Sequence, residues 1–142
     1  MSYRGIGSDI GHTHVWNGSQ WVSQIGGSGD GYVTIITPDQ LTVDTDDYVT
    51  TGLDSADVVR LDGYDGYGLD ADRTITGIDA PVAAKELMFV NIGTNSLVFN
   101  HDDTDSAAEN RILIAGGSAL TIPPNGILTL LYDDISAKWR VT

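Results

Sequence analysis

From Val90 to Val141 the apolar residues come in short alternating groups, and each group closes on a polar stretch rich in Gly, Asp or Asn. Alternation that stops after a few residues marks a strand, and a turn signal after every run marks a chain that keeps reversing. Such a chain is all-β, and its turn spacing predicts an antiparallel β-sandwich of jelly-roll type. Strands are expected at 32–37, 41–45, 57–61, 73–78, 86–92, 96–100, 110–114, 119–122, 126–132 and 137–141. The run from Gly126 to Tyr132 is apolar enough to read as a strand buried on both faces. Between Asp57 and Asp62, Val58 and Arg60 share one face while Val59 and Leu61 share the other. Helical signals are weak. One turn is expected at 79–87, capped by Asp79 with Pro81 in its first turn, and another at 106–110. The lack of an exact internal repeat argues against a solenoid.

The chain has 142 residues, enough for one domain with an appendage and a core that needs no staples. It has no cysteine, which removes disulfides and thiolate metal sites. Its net charge of −13 is the wrong sign for nucleic acid or an anionic membrane surface. No apolar run is long enough to span a bilayer. Met1-Ser-Tyr-Arg-Gly-Ile-Gly lacks the apolar centre of a signal peptide, so synthesis in the cytoplasm is expected.

Two regions are expected: an N-terminal arm, 1–31, and a β-sandwich domain, 32–142. In the arm, Asn17-Gly18 lies between Trp16 and Trp21, a hairpin signal that would set the two indoles opposite each other. The run Gly26-Gly-Ser-Gly-Asp-Gly31 reads as a flexible linker.

The blocks Arg73–Ile78, Leu87–Gly93, Asn95–Asp102, Ala107–Arg111, Gly116–Asn125, Leu131–Asp133 and Trp139–Val141 occur in that order, with Asp47–Leu61 ahead of them. Together they resemble a β-sandwich module of tailed-bacteriophage virion proteins, found in capsid decoration proteins, head fibres and tail-fibre domains. The resemblance covers roughly residues 39–142 and implies a trimer with a jelly-roll-like protomer. Asp62-Gly-Tyr-Asp-Gly-Tyr-Gly-Leu-Asp70 departs from it and reads as an inserted, protruding loop.

Few residues invite chemistry. His12 and His14 would share one face of an extended segment, and in a trimer such pairs could converge on a transition metal; a solvent-facing pair is the competing reading. The Asp clusters at 44–47, 62–72 and 102–105 read as solvated turns, with calcium across a loop or subunit boundary as the other reading. None has EF-hand spacing. No acid pair or nucleophile motif stands out, so an enzyme is not expected, nor is a cofactor. Trp16, Trp21 and Tyr32 are expected at subunit or capsid contacts, and Arg111 and Trp139 are expected to serve the scaffold. Arg111 has loop carbonyls, Asp102 and Asp103 within sequence reach. Tyr64 and Tyr67 are aromatic residues in accessible segments, suited to a sugar or to a subunit surface.

The expected function is a trimeric decoration protein on the outer shell of a phage, bound to the major capsid protein, with residues 1–31 as anchor. The chain reads as a whole protein rather than the end of a long fibre. The rival is a receptor- or carbohydrate-binding tip of a tail fibre.

Overall fold

A computed structural model describes residues 33–62 and 66–141, together with the backbone of three short strands in the arm. The chain divides into two compact units, Met1–Thr34 and Ile35–Thr142. In the first, β1 (Gly7–Asp9), β2 (His12–Trp16) and β3 (Trp21–Gln24) form an antiparallel sheet in chain order. Its β2–β3 register sets Trp16 opposite Trp21. The 26–31 linker and Tyr32 lie outside the described residues, as does Tyr64.

The second unit is all-β, but its strands do not run as an antiparallel sandwich would require. The strands β4 (Ile35–Ile36), β5 (Val58–Leu61) and β7 (Lys85–Asn91) lie side by side and parallel. Strands β6 (Arg73–Ile75) and β8 (Leu97–Phe99) are also parallel. Single parallel bridges join Leu41 to Leu69, Thr45 to Ile75 and Tyr48 to Ile78. The chain therefore coils through three successive rungs, each laid on the one before, as a short β-solenoid. The rungs are unequal, since ties between equivalent positions span 30 residues in one place and 24 in another. That inequality hides the repeat from a search at fixed period.

After the third rung the chain turns antiparallel. The remaining strands are β9 (Ile112–Ile114), β10 (Leu120–Ile122), β11 (Ile127–Asp133) and β12 (Lys138–Val141). Strand β10 pairs antiparallel with β8, β11 with β7, and β12 with β11; β9 then adds parallel to β12. The result is a six-stranded sheet, β4-β5-β7-β11-β12-β9, and a three-stranded sheet, β10-β8-β6.

One apolar cluster joins the two sheets. Phe89 and Phe99 are fully buried and meet edge-on with ring centroids 5.2 Å apart. Leu87, Leu97 and Leu130 are also sealed from solvent, each contributing ~1.5–3 kcal/mol by area. Trp139 packs against Tyr132 at 5.2 Å and donates its indole N–H to the Ile78 carbonyl at 2.9 Å.

The helical expectations fare unevenly. A 3-10 turn forms at Ala108–Asn110, inside the expected 106–110 segment, and another at Leu53–Ser55 that had no strong sequence signal. Residues 79–84 form no helix. Asp79 N–H donates to the Tyr48 carbonyl and Ala80 N–H to Asn110 Oδ1, which tie the start of this segment to the first rung and to the loop after β8. The 66–70 end of the supposed protrusion is docked, not projecting. Leu41 N–H donates to the Gly68 carbonyl, Leu69 is buried, and Gly68 has φ +70° with no room for a Cβ beside the Asp62 carbonyl. Among the described residues no helix is long and apolar enough to cross a membrane.

Candidate functional site

Two parts of the second unit concentrate distinctive side chains: a polar tie between rungs, and the outward face of the six-stranded sheet.

The tie is built around Asp47 and Ser106. Asp47 sits at φ 47°, a left-handed conformation that Asp tolerates better than most residues. Its carboxylate accepts from Ala107 N–H and Asn110 Nδ2, both at 2.9 Å. Its own N–H donates to Ser106 Oγ at 3.1 Å. Thr76 Oγ1 lies 2.7 Å from Ser106 Oγ and 2.7 Å from Asp46 Oδ1. Gly77 passes so close to Ser106 that a Cβ would lie 2.5 Å from its hydroxyl oxygen. Arg111 Nε donates to the Ser106 carbonyl at 3.0 Å, and its Nη1 lies 4.0 Å from Asp102 Oδ1. Side chains from rungs one and two and from the loop after β8 are thus fastened at one point.

Other carboxylates do the same work. Asp44 accepts from Thr74 N–H at 2.9 Å, one rung on, and Asp72 from Ser96 N–H at 2.7 Å. Asp70 grips Arg73 through two bonds. Asp103 takes Asn100 Nδ2 and Asp105 N–H, and Asp133 closes the β11–β12 turn through Ser136. These bonds hold three carboxyls below the usual range: Arg73 beside Asp70, the Asp105 amide beside Asp103, and the Ser136 hydroxyl beside Asp133. A carboxyl with a lowered folded value stabilises the fold above its ordinary range. That contribution is lost as pH falls through the folded value.

Asn91, fully buried, donates from Nδ2 to the carbonyls of Asn95 and Ile122 and accepts from Gly93 N–H. His101 Nδ1 accepts from Ile114 N–H. Among the described residues every buried side-chain nitrogen and oxygen has a partner, and no cluster of three His, Cys, Asp or Glu side chains is placed to hold a metal. The Asp-rich segments are therefore largely ties between rungs and turn closures. His12 and His14 occupy alternate positions of β2, and their side chains, like those of Trp16 and Trp21, lie outside the described residues.

The outward face follows from strand register. One row crosses the sheet as Ile35, Val58, Met88 and Thr129. A second runs Arg60, Val90, Ile127, and a third Glu86, Leu131, Arg140, Leu113. Ile127 is 62% exposed and Leu131 46% exposed. The strand expected to be buried on both faces is therefore buried on one, with Leu130 and Tyr132 turned inward. The third row borders an open groove of about 560 Å³, lined by Leu113, Ile114, Leu131 and Val141, with Thr129 and Arg140 as its polar side chains. Such a surface gains by excluding water from apolar area.

A smaller hollow, about 280 Å³, lies between 54–57 and 81–85. Lys85 closes it by donating from Nζ to the Leu53 and Asp54 carbonyls, and burial lowers the ammonium pKa. Tyr67, 46% exposed, is bridged to Asp39.

Comparison with protein-family models, curated proteins and solved structures gave no match. The functional reading therefore rests on geometry and on the sequence blocks. The outward rows escaped sequence analysis, although their signal was present. Leu128, Leu130 and Leu131 with Ile127 give β11 apolar residues at both parities, and only the pairing shows which set faces out.

Proposed function

We propose that this chain is a structural protein of a tailed-phage virion, a homotrimer that decorates the outer shell and binds the major capsid protein. The observation that supports this reading is the division of labour among the side chains. Polar side chains hold one rung to another, while the outward face of the six-stranded sheet leaves Ile35, Ile127 and Leu131 exposed among a few charged residues. A body built this way acts by adhering. The ordered blocks from Arg73 to Val141 add the likeness to virion modules. In this reading the two facing sheets play the part of the jelly-roll protomer, with parallel coils supplying half of it.

Residues 1–31 are the anchor. An arm that already contains short strands can add to an exposed sheet edge through main-chain bonds. The protein is made in the host cytoplasm and ends in the virion. It performs no reaction and takes up no cofactor, nucleic acid or membrane. The net charge of −13 keeps decorated particles apart.

Gold labelling of a C-terminal tag on intact virions tests this. Many labels spread over the head are expected. Labels confined to the tail tip would replace this reading with receptor or carbohydrate binding, and unlabelled virions would end both.

A further inference from the structure

We infer that His101 is a pH-sensitive latch on the six-stranded sheet. Its neutral ring closes the outer edge of β9, and a proton on that ring opens it. This goes beyond the proposed role and does not depend on where the protein is located.

The sheet ends at β9, whose only strand neighbour in it is β12. The Arg111 carbonyl and the Ala115 N–H are bonded to β12. By alternation, the backbone groups of Ile112 and Ile114 face away from it. An open edge of this kind is where a strand of another chain can add. Here the loop after β8 and the turn after β9 fill it. Asp102 N–H donates to the Ile112 carbonyl at 2.8 Å, and Gly117 N–H to the Ile114 carbonyl at 2.9 Å. The Ile114 N–H remains, and it donates to His101 Nδ1 at 2.9 Å. Asp102 has φ 41°, which bends the loop out of extended backbone, and a ring nitrogen takes the place of a backbone carbonyl.

A carbonyl accepts at any pH, and a ring nitrogen does not. Nδ1 accepts only while it keeps its lone pair, with the ring proton on Nε2. Nε2 faces the turn after β9, where a Cβ on Gly117 would lie 3.9 Å from it. A proton on Nδ1 sets two N–H donors against each other, and Ile114 loses its partner. The latch is therefore shut at neutral pH and opens as pH falls, within the range where histidine changes charge. His101 is also the one histidine of the chain outside the arm.

The charges around the ring come from three elements. Asp102 and Asp103 lie on its own loop, Arg111 precedes β9, and Lys138 opens β12. β9 itself and the 115–119 turn carry none. Asp102 Oδ1 lies 4.0 Å from Arg111 Nη1 and 3.7 Å from Lys138 Nζ, and Asp103 accepts from Asn100 Nδ2 and Asp105 N–H. Both carboxylates are already engaged. Opening leaves β9 with an unpaired N–H and loosens the loop that runs on to Ser106 and the polar tie.

The test is amide hydrogen exchange by nuclear magnetic resonance on the full chain at pH 7.5 and 5.5. Each rate is divided by its intrinsic value, and the ring nitrogen shifts of His101 are read on the same samples. The ring should carry its proton on Nε2 at pH 7.5. Protection of Ile114 N–H should fall about tenfold at pH 5.5, the ratio one bond of ordinary net strength sustains, while the amides of β11 keep theirs. His101→Asn keeps an acceptor oxygen on Cγ and takes up no proton, so Ile114 should stay protected at both pH values. His101→Ala should leave Ile114 poorly protected at both. A ring with its proton on Nδ1 at pH 7.5 would overturn the inference, as would a ring still neutral at pH 5.5. Protection unchanged once the ring is charged would overturn it as well. So would an Asn variant that loses protection on acidification as the wild type does, by assigning the effect to the aspartates. The wild-type readings decide the matter by themselves if a variant does not fold.

Discussion

Gly68 is a position where one missing atom decides whether the chain can fold back against the end of β5 at Asp62. Its φ of +70° already disfavours any L side chain, and a Cβ would come 1.6 Å from the Asp62 carbonyl oxygen. The obstacle is backbone, which cannot swing aside as a side chain can. Gly68→Ala should cost at least about 3 kcal/mol, a large share of a typical domain's stability. A urea titration followed by tryptophan fluorescence should show the midpoint fall with little change in slope. Sequence analysis saw the glycines of this segment and read them as a free loop. What it could not see was that 66–69 lies beside 39–41, since that contact depends on register between coils. Arg111 and Trp139 were more legible. A cation just after a polar loop meets a carbonyl of that loop, and an indole in the last strand meets the core.

At the scale of elements, the strands themselves were readable and their directions were not. β7, β11 and β12 fall within a residue of the expected 86–92, 126–132 and 137–141, because each is a short apolar or aromatic run bounded by polar turn residues. Alternation says which side chains share a face; it is silent on whether the neighbour runs up or down. The 41–45 segment shows the limit, being two isolated parallel bridges at Leu41 and Thr45 in place of a continuous strand. The polar tie is an element-level device, since it fastens the bend at Asp47 to the loop after β8. Asp47→Ala removes the acceptor for Ala107 N–H and Asn110 Nδ2, and should cost about 1–3 kcal/mol. Asp47→Asn keeps a carbonyl oxygen and tolerates the left-handed backbone, so it should recover more than half of that loss. Paired thermal melts of the two variants measure the difference, and equal losses would assign the effect to charge instead of to the acceptor.

The whole molecule carries a large like-signed charge. Assembly into the proposed homotrimer would release water from apolar surface but bring −13 toward −13. Added salt screens the repulsion over about 10 Å at 0.1 M and leaves apolar burial nearly untouched. Raising sodium chloride from 20 to 300 mM should therefore tighten self-association by about tenfold or more, read as a shift in sedimentation mass with concentration. Weakening with salt would mean that ion pairs, not apolar burial, hold the copies together.

One further consequence comes from the antiparallel strands that follow the third rung. A pile of parallel coils is a fibre in miniature, and each exposed coil invites another beneath it. Here β11 roofs β7 and β10 roofs β8, so the pile is closed on that side after its third storey. Growth by end-on stacking needs two matching ends, and one of them has been taken away. A further parallel coil would find an antiparallel strand there in place of a matching rung.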